Sequence, residues 1–478
     1  MISFTLALIA LIVGYVTYGA LVNRLFGVDP QKETPCYTRN DGIDYTPMPT
    51  WKVFLIQFLN IAGTGPIFGA IMGILFGPAA YLWIVLGCIF IGAVHDYLCG
   101  MISLRENGAS LPEMVGDSLG NVARQAMRVL SIILLVLVGT VFVTTSAGLL
   151  ATMTGGNMGY DIETWKWIWI GVVFIYCILA TLLPIDALIG KLYPLFGTAL
   201  LIMAIGVGMG IYVQDGWLPE LTDAPFATHH PSGLPIFPFL CITIACGAVS
   251  GFHATQSPLM SRCLKNERHG RMVFYGAMIT EGIVALIWAA AAIKFAGSYE
   301  HLSELMTSGG KSNPSLIVNM ICSTWMGRIG AILAVLGVVA APITSSDTAY
   351  RSARLIVADF LHMGQHRIWH RLILALPLFA LSALLVFIDF DVLWRYFAWF
   401  NQTLATCFLW TAAVWLSRQG KCYWMAYIPA LFMTVVCVSY ILVAPKEGFG
   451  LSLATGLTAG LATMLCLAIL FKVKRPKS

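Results

Sequence analysis

Apolar residues recur in runs of about 20 along the whole chain, the length that crosses the hydrocarbon core of a bilayer. About 13 such runs are predicted as membrane helices, at 2–21, 51–76, 78–102, 126–150, 165–183, 187–213, 235–258, 272–296, 327–349, 368–389, 392–416, 422–444 and 450–472. Two of them are broken by polar and flexible residues. The second run contains Gln57-Phe58-Leu59-Asn60-Ile61-Ala62-Gly63-Thr64-Gly65-Pro66, and the seventh contains Gly247-Ala248-Val249-Ser250-Gly251-Phe252-His253-Ala254-Thr255-Gln256-Ser257-Pro258. Irregular backbone at membrane depth is tolerated only where protein or a wet cavity meets its freed amides and carbonyls. A pair of interrupted helices in corresponding halves predicts a secondary transporter with its binding site between the breaks.

The distribution of Lys and Arg predicts the orientation. Arg24, Lys32 and Arg39 fall in the first loop, Arg105 and Arg124 in the third, and Arg262, Lys265, Arg268 and Arg271 after the seventh run. Arg351, Arg354 and Arg367 follow the ninth, Arg418 and Lys421 the eleventh, and Lys472, Lys474, Arg475 and Lys477 the last. The alternate loops 151–164 and 214–234 contain no Lys or Arg. Basic loops stay in the cytoplasm, so the N-terminus is expected outside and the C-terminus inside. The two broken helices then run in opposite directions. Five helices from each break give an inverted 5+5 repeat, 51–213 and 235–416, within a single transmembrane domain. Residues 1–50 (a first helix and a cytoplasmic loop) and 417–478 are additions.

Composition narrows the class further. At 58% hydrophobic and 11% charged residues over 478 positions, the chain is no ordinary soluble globule, since such domains carry about 25% charged residues. The stretch Ile2–Leu21 lacks the basic start and small-residue exit of a cleaved signal peptide and is expected to be the first membrane helix. A net charge of +5 fits cytoplasmic loop anchoring, and no basic stripe interleaved with aromatics points to nucleic acid. The 12 cysteines form no paired CxxC pattern, so neither zinc nor a structural disulfide is expected, and no cofactor is. A phosphate-binding GxxxxGK[ST] loop, HExxH and the TVGYG filter are missing, and no nucleophile–base constellation stands out, which argues against ATP-driven transport, an intramembrane enzyme and a potassium channel.

The candidate chemistry sits at the breaks and in three further helices. Gln57, Asn60 and Thr64 share one helix face leading into Gly63 and Gly65, where they either line a site or tie helices together. Amides freed at the start of the outer half-helix would attract a carboxylate, and freed carbonyls a cation. In the second break His253, with Ser250, Gly251, Thr255, Gln256 and Ser257 around it, is either a proton relay or a neutral packing residue. The third run carries His95 and Asp96, and the eighth carries Glu281. Carboxylates in equivalent helices of both halves are functional hypotheses by default, against a purely structural hydrogen bond. Gly92 and Gly100 flank Asp96 and permit close approach of another helix. Thr344, Ser345, Ser346 and Asp347 near the end of the ninth run offer oxygens to a sodium-like cation, or else cap the segment 350–366, with Asp347 and Arg351 spaced to pair. Asn401 and Gln402 are read as interhelical ties.

Several of these stretches resemble the carbon starvation protein A (CstA) family. They are Asn40-Asp41-Gly42-Ile43-Asp44-Tyr45, Ile61–Ile67, Gly92-Ala93-Val94-His95-Asp96, Gly251–Ser257 and Pro342–Arg354, and the resemblance runs from about residue 10 to about residue 360. The chain looks like a short form of that family. The resemblance implies a bacterial inner-membrane uptake system linked to nutrient limitation, related to the amino acid–polyamine–organocation transporters and LeuT-like in architecture. It implies peptides, or pyruvate taken up with protons, as substrates. An ion-coupled symporter for a small carboxylate-bearing nutrient is therefore expected, with H⁺ or Na⁺ as coupling ion and the bilayer as surroundings. A membrane nutrient sensor or channel is the alternative.

Overall fold

The structure is a computed structural model that describes residues 1–158, 161–182, 185–307, 314–365, 367–388 and 390–474. The ends of the expected spans 165–183 and 368–389, and Arg475 and Lys477, lie outside the described residues. The main helices in chain order are α1 (Ile2–Val16), α2 (Tyr18–Phe26), α3 (Thr50–Ile61), α4 (Gly65–Gly73), α5 (Ala79–Gly87), α6 (Ala93–Arg105), α7 (Asn121–Met158), α8 (Ile162–Leu182) and α9 (Ile185–Val213). They continue with α10 (Ile236–Thr243), α11 (Gly251–Ser261), α12 (Gly276–Ala296), α13 (Pro314–Ala334), α14 (Ala340–Leu361), α15 (Ile368–Leu385), α16 (Phe390–Arg418), α17 (Trp424–Val443) and α18 (Leu453–Lys474). Among the described residues the chain is otherwise short helices, turns and one isolated bridge, Met48 to Leu264.

Nine helices among the described residues are long and apolar enough to cross a membrane, ten if the bent pair α3/α4 is one span. The remaining three expected spans, 235–258, 327–349 and 392–416, fall on α10 with α11, on the approach to α14 with α14, and on α16. Each carries polar groups inside its apolar stretch, and each contributes residues to the site described below. Burial orders the bundle from inside to outside. The most apolar window of Glu267–Ala296 is 89% buried and that of Ala79–Arg105 is 78%, against 28% for Ile2–Phe26 and 11% for Leu453–Val473. The segments bearing Glu281 and Asp96 are thus interior, while the first and last helices form the periphery.

Both breaks exist, and both resume helix earlier than the prolines suggest. α3 ends at Ile61, Ala62 leaves the helical region, and α4 restarts at Gly65 with Pro66 in its first turn, bent by 46°. The second break occupies residues 244–250, so His253, Thr255, Gln256, Ser257 and Pro258 belong to α11 and not to the irregular stretch. A proline inside a helix frees the carbonyl four residues back. Here that carbonyl, Ala254 O, accepts the Cys99 thiol at 3.3 Å, and the helix runs on. Likewise α14 does not end near 349. Thr344, Ser346 and Thr348 turn their hydroxyls onto carbonyls three or four residues back in their own helix and do not cap a new one, and α14 continues to Leu361.

Three π-helical turns precede the chemistry-bearing stretches: Cys88–Gly92 before His95 and Asp96, Arg271–Tyr275 before Glu281, and Val335–Val339 before Thr344–Asp347. Such turns shift the side-chain register of the helix beyond them and concentrate at functional sites. Glycine lets α6 seat deeply. A Cβ on Gly92 would lie 2.1 Å from Ala248 O in the second break, and one on Gly100 2.4 Å from the Phe274 ring. Gly92→Ala is therefore expected to cost about 1–3 kcal/mol through overpacking against backbone. Gly148→Ala, where nothing lies within 4 Å, should be neutral. Thermal unfolding of the purified protein in detergent checks the pair.

Candidate functional site

The innermost polar cluster joins three helices. Asp96 on α6 places Oδ1 2.8 Å from His95 Nδ1 and Oδ2 2.8 Å from His253 Nδ1 on α11. His253 Nε2 in turn faces Glu281 Oε2 on α12 at 3.4 Å. All four side chains are fully buried. An ionised carboxylate only accepts, which assigns a proton to Nδ1 of both imidazoles. A neutral His253 then presents a lone pair at Nε2 toward Glu281, and neither that nitrogen nor either Glu281 carboxyl oxygen makes a hydrogen bond. His95 Nε2 has no hydrogen-bond partner, and its ring sits edge-on to Phe408 at 5.1 Å.

The first break is polar and poorly satisfied. Asn60 is fully buried with neither amide atom hydrogen-bonded, and Thr64 Oγ1 and Gln57 Oε1 also lack partners. Gln57 Nε2 donates to Ser257 Oγ at 3.1 Å. Native interiors pair such groups, so a cluster of orphans marks where a ligand or water belongs. Apolar walls flank it. A Cβ on Gly63 would meet the Phe142 ring at 3.0 Å, and Phe142 packs edge-on to Phe252 and Phe397, each at 6.1 Å between ring centres.

The second break is satisfied by α16. Asn401 Oδ1 accepts the Phe252 amide at 2.6 Å and the Ser250 hydroxyl at 3.2 Å, and Gln402 Nε2 donates to Val249 O at 2.9 Å. Gly251 allows this approach: its Cβ would fall 2.2 Å from Asn401 O. Thr255 and Gln256 point elsewhere. The Thr255 hydroxyl bonds Phe252 O, and Gln256 Nε2 reaches Thr255 Oγ1 at 2.9 Å and Ser352 Oγ on α14 at 3.3 Å.

On α14, Ser345 Oγ donates to Leu59 O at 3.3 Å and Asn60 O at 3.2 Å, tying that helix to the end of α3. Thr344 spends its hydroxyl on its own helix. Asp347 Oδ2 accepts from Tyr193 at 2.6 Å and Oδ1 has no hydrogen-bond partner, while Arg351 Nη1 lies 3.8 Å from Asp44 Oδ1. The structure thus brings Gln57, Asn60, Gly63, Thr64, Gly65 and Ser345 to one break and His95, Asp96, His253 and Glu281 to one cluster. Ser250 and Gly251 lie at the other break. Tyr193, Phe142 and Phe397 escape sequence reasoning, because an aromatic within an apolar run gives no signal there. The 12 cysteines are free thiols.

A buried polar centre between two broken helices, inside a multi-pass helical bundle, is the build of a membrane transporter. The same architecture recurs in the crystal structure of a manganese transporter from Eremococcus coleocola, at a TM-score of 0.56 and 13% identity, covering 91% of this chain and 98% of that one. At that identity the likeness is one of fold. The chain belongs to the carbon starvation protein CstA family, which it matches over residues 1–161 and 154–312. It is 44% identical over 354 residues to a protein of Haemophilus influenzae named only as an uncharacterized membrane protein, covering 65% of this chain and 95% of that one. It is 31% identical over 332 residues to the pyruvate/proton symporter BtsT of Escherichia coli, covering 57% of this chain and 46% of BtsT. Against the peptide transporter CstA of Escherichia coli it is 26% identical over 553 aligned positions, covering 98% of this chain and 76% of that one. The chain therefore spans less than half the length of BtsT.

Asp96→Asn would set an amide donor against an imidazole N–H in a dry site. The expected destabilisation is about 1–3 kcal/mol. Glu281→Gln changes a side chain neither of whose carboxyl oxygens makes a hydrogen bond and should cost less. Thermal midpoints of the two purified variants test the order.

Proposed function

We propose that this protein is a proton-coupled symporter that imports a small carboxylate-bearing nutrient, a peptide or pyruvate, across the bacterial inner membrane during carbon starvation. The observation that carries this reading is the buried chain Asp96–His253–Glu281, whose central member lies two residues into the helix that begins at the second break. Substrate carboxylate binds at the amino end of α4, where Thr64 and Asn60 hold unused polar atoms, with Gln57 beside them. An anion arriving beside a net negative cluster favours uptake of a proton by that cluster, and the proton in turn favours the anion; this reciprocity is the coupling. The names of the relatives, a pyruvate/proton symporter and a peptide transporter, agree with both substrate classes. Transport uses a LeuT-like 5+5 inverted repeat, N-terminus outside and C-terminus in the cytoplasm. The repeat is supported by a broken helix in each half, succeeded by a π turn and then a buried carboxylate.

Sodium is the second candidate for coupling ion, at Ser345, Leu59 O and Asn60 O with Thr344 and Asp347 nearby. The proton is preferred because Ser345 already satisfies those carbonyls and the Thr344 hydroxyl is turned into its own helix. A sensor or channel would not concentrate the nutrient.

Uptake of labelled pyruvate and of a labelled dipeptide into liposomes, under a proton gradient, a sodium gradient or neither, tests the proposal. Accumulation of one of them driven by protons and faster at lower external pH is expected. His253→Ala and Glu281→Gln should lower gradient-driven accumulation by about tenfold or more. Glu281→Gln should still exchange labelled for unlabelled substrate, since exchange needs no net proton movement. Accumulation of neither substrate under any gradient would overturn the reading, and accumulation driven by sodium alone would move the coupling site to Ser345.

A further inference from the structure

The two breaks are chemically unequal although they face each other. Gly65 at the head of α4 touches Cys246, toward which a Cβ there would come within 2.4 Å of Sγ, and Cys246 Sγ lies 3.5 Å from Asn401 Nδ2 and 3.7 Å from Ser250 Oγ. The heads of α4 and α11 are therefore separated by about one side chain. The head of α4 has no side-chain cap, and beside it Asn60 and Thr64 hold buried polar atoms without partners. At the head of α11 Ser250 makes no cap bond, and the Phe252 amide is taken by Asn401 Oδ1 at 2.6 Å. The Asn401 carboxamide also exchanges hydrogen bonds with the Ser250 hydroxyl, at 3.2 and 3.0 Å. Gln402 Nε2 donates to Val249 O beside it.

A carboxamide has the shape of a carboxylate, and the donors it occupies, a helix-first-turn amide and a serine hydroxyl, are those a carboxylate would seek. We infer that Asn401 is a specificity-determining residue: it holds the second helix head in the place of a substrate carboxylate, so the site admits nutrients with one carboxylate and excludes dicarboxylates. The inference rests on the carboxylate-transport reading above and adds which end of the site is open. Asn401 is neutral, so it fills the head of α11 without adding to the negative charge of the neighbouring Asp96–His253–Glu281 cluster. A second substrate carboxylate there would add to it.

Competition in liposomes tests this. In the wild type, unlabelled succinate in large excess should leave proton-driven uptake of labelled pyruvate or dipeptide unchanged, while unlabelled pyruvate or dipeptide competes. Asn401→Ala removes the carboxamide and should make succinate a competitor, strengthening its inhibition by about tenfold or more. Asn401→Asp keeps an oxygen on the Phe252 amide and should still exclude succinate. Inhibition of the wild type by succinate as strong as by the monocarboxylate would overturn the inference without any variant. A folded Asn401→Ala that still ignores succinate would overturn it too. Failure of the wild type to take up any carboxylate would instead sink the transport reading, and the inference with it.

Discussion

Backbone broken inside an apolar bundle must find partners for its amides and carbonyls, because no water is at hand to supply them. Much of the interior of this protein is organised around that requirement. Ser345 on α14 reaches carbonyls of Leu59 and Asn60 at the end of α3. Asn401 and Gln402 on α16 supply an acceptor and a donor to the second break. The Cys99 thiol of α6 serves the carbonyl that Pro258 strands within α11. α14, α16 and α6 are thus each tied to an irregularity in another helix. Where the partners stop, at Asn60 and Thr64, the protein leaves donors and acceptors for something else.

The titratable cluster obeys the same logic with charge in place of backbone dipoles. Asp96 alone in this interior would carry an unpaired charge at high cost. Two imidazole N–H groups from different helices satisfy both its oxygens, and in doing so fix their own tautomers. Those tautomers leave a nitrogen lone pair of His253 facing Glu281. A proton gained or lost at that contact alters the net charge of a site fully shielded from water. Such a change is large enough energetically to be felt at the adjacent helix head, which is how ion and nutrient become coupled in the proposed cycle.

Much of this is legible in the chain. The breaks show themselves through Gly, Pro and polar residues inside apolar runs; the first irregular stretch is 62–64, overlapping the expected Gly63–Pro66, with Gly65 and Pro66 already in the next helix. His95, Asp96, His253 and Glu281 stand out because ionisable groups are rare at such depth. Their meeting in one cluster is not legible, since they come from three different helices, one of them far upstream of the other two. The second break lies earlier than Pro258 suggests. Nothing in the sequence signals that a thiol from another helix will satisfy the carbonyl which that proline releases. Asn401 and Gln402 look like general ties, because a buried amide reads the same in sequence whatever it touches.

By itself the sequence determined a multi-pass helical membrane protein with two interrupted helices and a small set of buried ionisable residues. Those features arise from local composition: length of apolar run, placement of helix-breaking residues and the cost of charge in hydrocarbon. Tertiary structure alone decided which orphaned groups found partners. Gly92 and Gly251 let neighbouring backbone approach within the space of a missing Cβ, and that approach put Asp96 beside His253 and Asn401 on the head of α11. Hydrogen bonds act over about 3 Å, so pairing is settled by how helices pack and not by where residues fall along the chain.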